Sequence, residues 1–165
     1  MSAQSETRFV LAIHNTLLGV FNYLVLNLPP RWRLKSGDIP TEMSSSAKVG
    51  EVRWVREGVS VNYVYDDENA LRLVVDVREK IKQDKSVSRG IRILHDKFVN
   101  VNGHQGHVIV VRVTRGVWKK KHLEYLRFQF YCSVTKRSIE LVLEGRCAEN
   151  SLIALGEAIQ RSTCH

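Results

Sequence analysis

The run ALRLVVDVRE places Leu71, Leu73, Val75 and Val77 on one side of an extended chain and Arg72, Asp76 and Arg78 on the other. Only a period of two separates apolar from charged residues this cleanly, so the run reads as a strand with one face in a core. VSVNYVY (Val59 to Tyr65) precedes it, and Asp66, Asp67, Glu68 and Asn69 connect the two as a hairpin turn. The alternation returns in LRFQFYC, with Leu126, Phe128, Phe130 and Cys132 facing inward and Tyr125, Arg127, Gln129 and Tyr131 outward. SVTKRS then turns the chain into IELVLEG, where Ile139, Leu141 and Leu143 face the core and Glu140 and Glu144 face water.

A different period appears only at the C-terminus. Leu152, Leu155 and Ile159, edged by Ile153 and Ala158, form the stripe of an amphipathic helix. Asn150 or Ser151 is the expected N-cap and Arg161 is expected in the last turn, while Gly156 costs up to about 1 kcal/mol relative to Ala. These patterns specify an α+β fold: a twisted antiparallel β-sheet of hairpins covered by a C-terminal helix. At 165 residues, the chain has the size of one domain with one core. Residues 1–6 are expected to be a flexible N-terminus, and 7–165 a single domain with an exposed loop at about 35–50 (KSGDIPTEMSSSAKVG) and a shorter polar one at KQDKSVSRG, Lys82 to Gly90.

Phe9 to Pro30 contains no Asp, Glu, Lys or Arg, and its length approaches a membrane span. His14, Asn15, Asn22 and Asn27 interrupt it with polar groups that are costly in hydrocarbon, and a cleavage site is lacking, so the segment reads as buried core elements including a strand. No membrane span is expected, and the expected compartment is cytoplasmic. Cys132, Cys147 and Cys164 are scattered singly, without CxxC spacing. In a reducing compartment isolated cysteines of this kind serve as small buried hydrophobes.

NGHQGH (Asn102 to His107) invites both a zinc and a hairpin reading. With Asn102-Gly103 at the centre of a type I′ turn, Val101 pairs with His104 and Phe98 with His107. Residues three apart on a strand project to opposite faces, so His104 and His107 do not clasp one ion unless a bulge at Gly106 re-aims one of them. Cys132, Cys164 and His165 could join a site only through a spatial convergence that spacing does not reveal. No metal ligand set and no cofactor is therefore assigned. Cys132 ends an inward-facing strand and Cys164 follows the closing helix by a few residues, so the two approach if the helix runs back over that strand. A disulfide there would contribute about 2 to 4 kcal/mol under oxidising conditions. The sequence contains no Gly-x-Ser-x-Gly elbow, P-loop, GxGxxG or His-Glu-x-x-His, and no catalytic residue is assigned.

Lys and Arg outnumber Asp and Glu by 25 to 17, which favours anionic partners. No acid occurs from Lys97 to Leu123, and RGVWKKKH gathers Arg115, Trp118, Lys119, Lys120 and Lys121 at the tip joining two strands. Such a tip suits phosphate contacts with Trp118 stacked on a base; the competing reading is an edge-guarding lysine cluster with Trp118 folded back on the sheet. PRWRLK (Pro30 to Lys35) is a second basic-aromatic patch, open to the same two readings.

An early strand ending YLVLNLPPRW (Tyr23 to Trp32), a loop, a meander of hairpins, the Val101 to Gly103 turn, and a closing strand and helix resemble the α+β fold of photosystem PsbP proteins and Ran-binding Mog proteins. Tyr131 and Cys132 followed by Thr135, Lys136 and Arg137, with the ending Ser162 to His165, are similar to uncharacterised archaeal proteins of this size. The resemblance implies a non-catalytic partner in a larger assembly. The expected function is a soluble, non-catalytic binding or adaptor domain acting through protein–protein contacts; the alternative is nucleic-acid binding through the basic tip.

Overall fold

Alternation becomes nine strands. They are β1 (Thr7–Asn15), β2 (Gly19–Leu28), β3 (Arg33–Ser36), β4 (Gly58–Tyr65), β5 (Ala70–Arg78), β6 (Ile91–Val101), β7 (His104–Arg115), β8 (Lys121–Cys132) and β9 (Arg137–Arg146), followed by one helix, α1 (Glu149–Ile159). This computed structural model describes residues 5–15, 19–37, 58–78, 91–115 and 121–165. The strands form one antiparallel sheet in the order β2-β1-β4-β5-β9-β8-β7-β6, with β3 paired to β4. β3 and β1 share one edge of β4: β3 takes Asn62 to Tyr65, and β1 meets β4 only at His14 opposite Val59. The β1–β2 hairpin is therefore a flap joined to a seven-stranded body at a single register pair.

The expected inward sets are the buried ones. Leu71, Leu73, Val75 and Val77 of β5, Leu126, Phe128, Phe130 and Cys132 of β8, and Ile139, Leu141 and Leu143 of β9 all belong to one apolar cluster. Leu11 and Ile13 of β1 and Leu24, Leu26 and Leu28 of β2 join that same cluster, so the uncharged stretch from Phe9 supplies two core strands. On the opposite face Arg127 pairs with Glu140 at 2.9 Å and Arg72 with Glu144 at 3.7 Å, the cross-strand charge pairs of a solvated surface.

Leu152, Leu155 and Ile159 of α1 are buried on the core face of the sheet, each worth on the order of 2 kcal/mol in apolar burial. Gly156 lets the helix approach closely, since a Cβ there would lie 3.3 Å from Leu126 Cδ1. The helix starts earlier than the sequence suggests: Ala148 is the N-cap, and Asn150 and Ser151 fall within the first turn. Help comes from the β4–β5 turn, where Asn69 Oδ1 accepts the Ala148 N–H at 3.0 Å. Arg161 lies beyond the last turn, ion-paired with Glu6. One further expectation needs correction: β3 occupies the start of the 35–50 loop, the remainder of which lies outside the described residues beyond Gly37, as does all of 82–90. Trp32 of the PRWRLK patch is 5 % exposed and belongs to the core, so of the two readings of that patch its ring takes the folded-back one, next to Arg31 at φ 72°.

Asp66 organises the turn that reaches the helix. Its Oδ1 accepts the N–H of Glu68 at 2.9 Å and of Asn69 at 2.6 Å, and the Asn69 amide at 3.0 Å. Burial pushes its carboxyl up, but these N–H donors outweigh burial and hold it below the ordinary 3.8. A carboxyl depressed by folding stabilises above its unfolded value, and that contribution fades as pH falls through the folded one. Asp66→Ala is expected to cost about 1–2 kcal/mol at pH 7 in urea unfolding, a difference that shrinks below the ordinary carboxylate range; a pH-independent difference would contradict this.

Candidate functional site

The turn at Asn102 and Gly103 has φ of 50° and 83°, the doubly positive pair of a type I′ hairpin, and places Val101 opposite His104 and Phe98 opposite His107. The two histidines leave on opposite faces. His107 meets Asp96 and stacks at 5.3 Å from Phe98 on the outer face, while His104 lies on the core side, at the end of the sheet. The bulge of this hairpin sits between Ile93 and His95 rather than at Gly106, which instead pairs in register with Val99 and Phe130.

His104 has company that its neighbours in sequence do not supply. Extending the Gly106–Phe130 register by two residues sets the first residue of β7 against Cys132, the last of β8. After α1 the chain turns back along β2, and Thr163 exchanges two backbone hydrogen bonds with Val25 at 2.9 and 3.0 Å. That pairing delivers Cys164 and His165 to the same end of the sheet. One donor atom from each of His104, Cys132, Cys164 and His165 lies within 4.8 Å of all the others. His165 Nδ1 is 3.3 Å from Cys164 Sγ and 3.7 Å from Cys132 Sγ, and the two sulfurs, both free thiols, are 2.6 Å apart.

Both thiols are buried, and their surroundings split their acidities. Burial pushes Cys132 up, but hydrogen bonds from Cys164, Thr135 and His165 overcome it and bring the thiol down to about 6. Burial and the bond to Cys132 push Cys164 up to about 12. Asn102 Nδ2 approaches Cys164 Sγ at 3.8 Å and His165 Nδ1 at 3.2 Å, and His104 Nδ1 meets Ser133 Oγ at 3.4 Å. His104 Nε2 is buried with no hydrogen-bond partner. Two soft sulfur donors and two imidazoles converge here, and no carboxylate is among the four donors.

Two other surfaces bear on function. Among the described residues β6 pairs only with β7, no described strand lies along its outer edge, and Ile93 and Phe98 on it are 56 % and 75 % exposed. The basic tip is partly outside the described residues: Trp118, Lys119 and Lys120 lie there, while Arg115 and Lys121 oppose each other where the β7–β8 ribbon ends. Among the described residues no helix is long and apolar enough to cross a membrane. No protein-family model, curated protein or solved structure matches the chain.

Cys147 stands apart. Burial, with Asp66 and Glu124 adding negative charge, pushes its thiol up to about 12, so at pH 8 its thiolate fraction is only about 10⁻⁴. In the folded protein Cys147 is expected to resist alkylation by iodoacetamide and to react once urea unfolds the chain, as read by peptide mass spectrometry. Labelling of the native protein at the rate of an exposed thiol would contradict its placement.

Proposed function

We propose that the chain is a non-catalytic binding module whose β6 edge takes up an extended segment of a protein partner. The observation that carries this reading is that no described strand pairs with the outer edge of β6: the bulge at Leu94 divides β6, and the run from His95 to Val101 offers a strand-length edge beside the exposed ring of Phe98. Main-chain pairing along such an edge supplies affinity, and side-chain contacts supply selection. The exposed Arg92 and Lys97, on a chain of net charge +8, favour a partner segment with acidic residues flanking an apolar side chain. A second reading, nucleic-acid binding by the tip, draws on the facing Arg115 and Lys121, which hold the lysine-rich connection at the end of a ribbon.

Capture of native complexes on the tagged full-length protein, with and without nuclease, separates the two. A partner retained through nuclease treatment and bound at least about tenfold more weakly by Phe98→Asp is the expected result, since Phe98 is too exposed to carry the fold. Capture abolished by nuclease, or indifferent to Phe98→Asp, would overturn the edge reading.

A further inference from the structure

We propose that His104, Cys132, Cys164 and His165 hold one zinc ion, which fastens the C-terminal tail to the β6–β7 turn and to the end of β8. A pair of thiolates and a pair of imidazoles is a donor set that suits tetrahedral zinc, whereas magnesium and calcium take oxygen ligands. Bond lengths of about 2.3 Å to sulfur and about 2.0–2.1 Å to nitrogen give tetrahedral edges of about 3.5 Å between sulfur and nitrogen and about 3.8 Å between sulfurs. The two edges from His165 Nδ1 already stand at 3.3 and 3.7 Å. The sulfur–sulfur edge, at 2.6 Å, has to open, which an ion entering between the sulfurs does, and the His104 donor, within 4.8 Å of the other three, completes the set.

The surroundings point the same way. His104 Nε2 is buried and unpartnered, a placement that costs free energy unless something accepts its lone pair or its proton, while the other ring nitrogen of His104 already faces Ser133 Oγ. A ligating imidazole with its second nitrogen engaged by a neighbour has this arrangement. Asn102 lies beside both Cys164 and His165, so the type I′ turn contributes an outer contact as well as the position of His104. Four protein donors leave no open position on a tetrahedral ion, so the proposed site is structural. Binding converts both thiols to thiolates and releases their protons, which makes loading pH-dependent. The site is independent of the edge reading proposed for β6 and shares no residue with it.

Cobalt(II) is the probe, added to the reduced full-length protein and followed by its visible absorption. One equivalent is expected to produce the intense bands of tetrahedral cobalt with thiolate-to-cobalt charge transfer in the near ultraviolet, and one equivalent of zinc to abolish them. Cys164→Ser is expected to weaken cobalt binding at least about 100-fold, with Cys147→Ser unchanged. His165→Ala, altering an exposed terminal side chain that the fold does not need, is expected to change the band pattern and weaken binding at least about tenfold, and it keeps the test decisive should a cysteine variant fail to fold. Absence of the tetrahedral spectrum, an octahedral one, or a spectrum indifferent to Cys164→Ser and His165→Ala would overturn the proposal. So would protein isolated with a Cys132–Cys164 disulfide that takes up no cobalt after reduction.

Discussion

One apolar sheet face has to be sealed by one short helix, and the shape of the molecule follows from that mismatch. Eight strands side by side would span about 34 Å if flat, whereas the eleven residues of α1 extend only about 16 Å. No flat sheet of this size closes under so small a cover. The sheet instead coils until β2, at one edge, and β8, toward the other, share the helix: Leu24, Leu26 and Leu28 of β2 lie in the same apolar cluster as Val101 of β6 and Val108 of β7, although five strands lie between β2 and β7 along the sheet. Right-handed twist makes this curvature available, and burial of Leu152, Leu155 and Ile159 rewards it.

Coiling leaves the β1–β2 hairpin as the weak joint, since its only ladder contact with the body is His14 opposite Val59. The C-terminal segment compensates from the other side. Thr163 pairs with Val25, the Asn27 N–H donates to Ser162 Oγ at 2.9 Å, and the Asn27 side-chain amide donates to Ala158 O at 3.3 Å. Arg161 reaches Glu6, beside the start of β1. Three residues after Arg161 the same tail contributes Cys164, and then His165, to the donor cluster. The last few residues thus bridge the hairpin flap and the β6–β8 end of the body, and the proposed zinc would make that bridge depend on a metal as well as on backbone pairing.

Strands β4, β5, β8 and β9 were legible because each carries its own alternation: nothing distant is needed to see that Leu71 and Leu73 share a face, or that Asn102-Gly103 turns the chain. The same local logic correctly sent His104 and His107 to opposite faces. It stopped short of the four-donor cluster for two physical reasons. The β7–β8 register that sets His104 near Cys132 is a matter of cross-strand pairing, and the arrival of Cys164 and His165 depends on the tail pairing with β2; neither leaves a period in the sequence. The helix start was misplaced for a similar reason. Asn150 and Ser151 are good capping residues by type, but Asn69, from a turn far earlier in the chain, holds the Ala148 N–H and lets the helix begin sooner. Trp32, among basic residues, is open in the sequence to an exposed or a folded-back ring, and only the tertiary path of the chain puts it in the core.

Native-state hydrogen exchange at the seam between tail and flap tests this account most directly. The amides of Val25, Asn27 and Thr163, bonded across that seam, are predicted to exchange nearly as slowly as those of β5 and β9, because opening them would uncover the helix and the core beneath it. Exchange at the rate of a frayed terminus, while the central strands stay protected, would show that the sheet closes without its tail and would contradict the claim that the last residues hold its ends together.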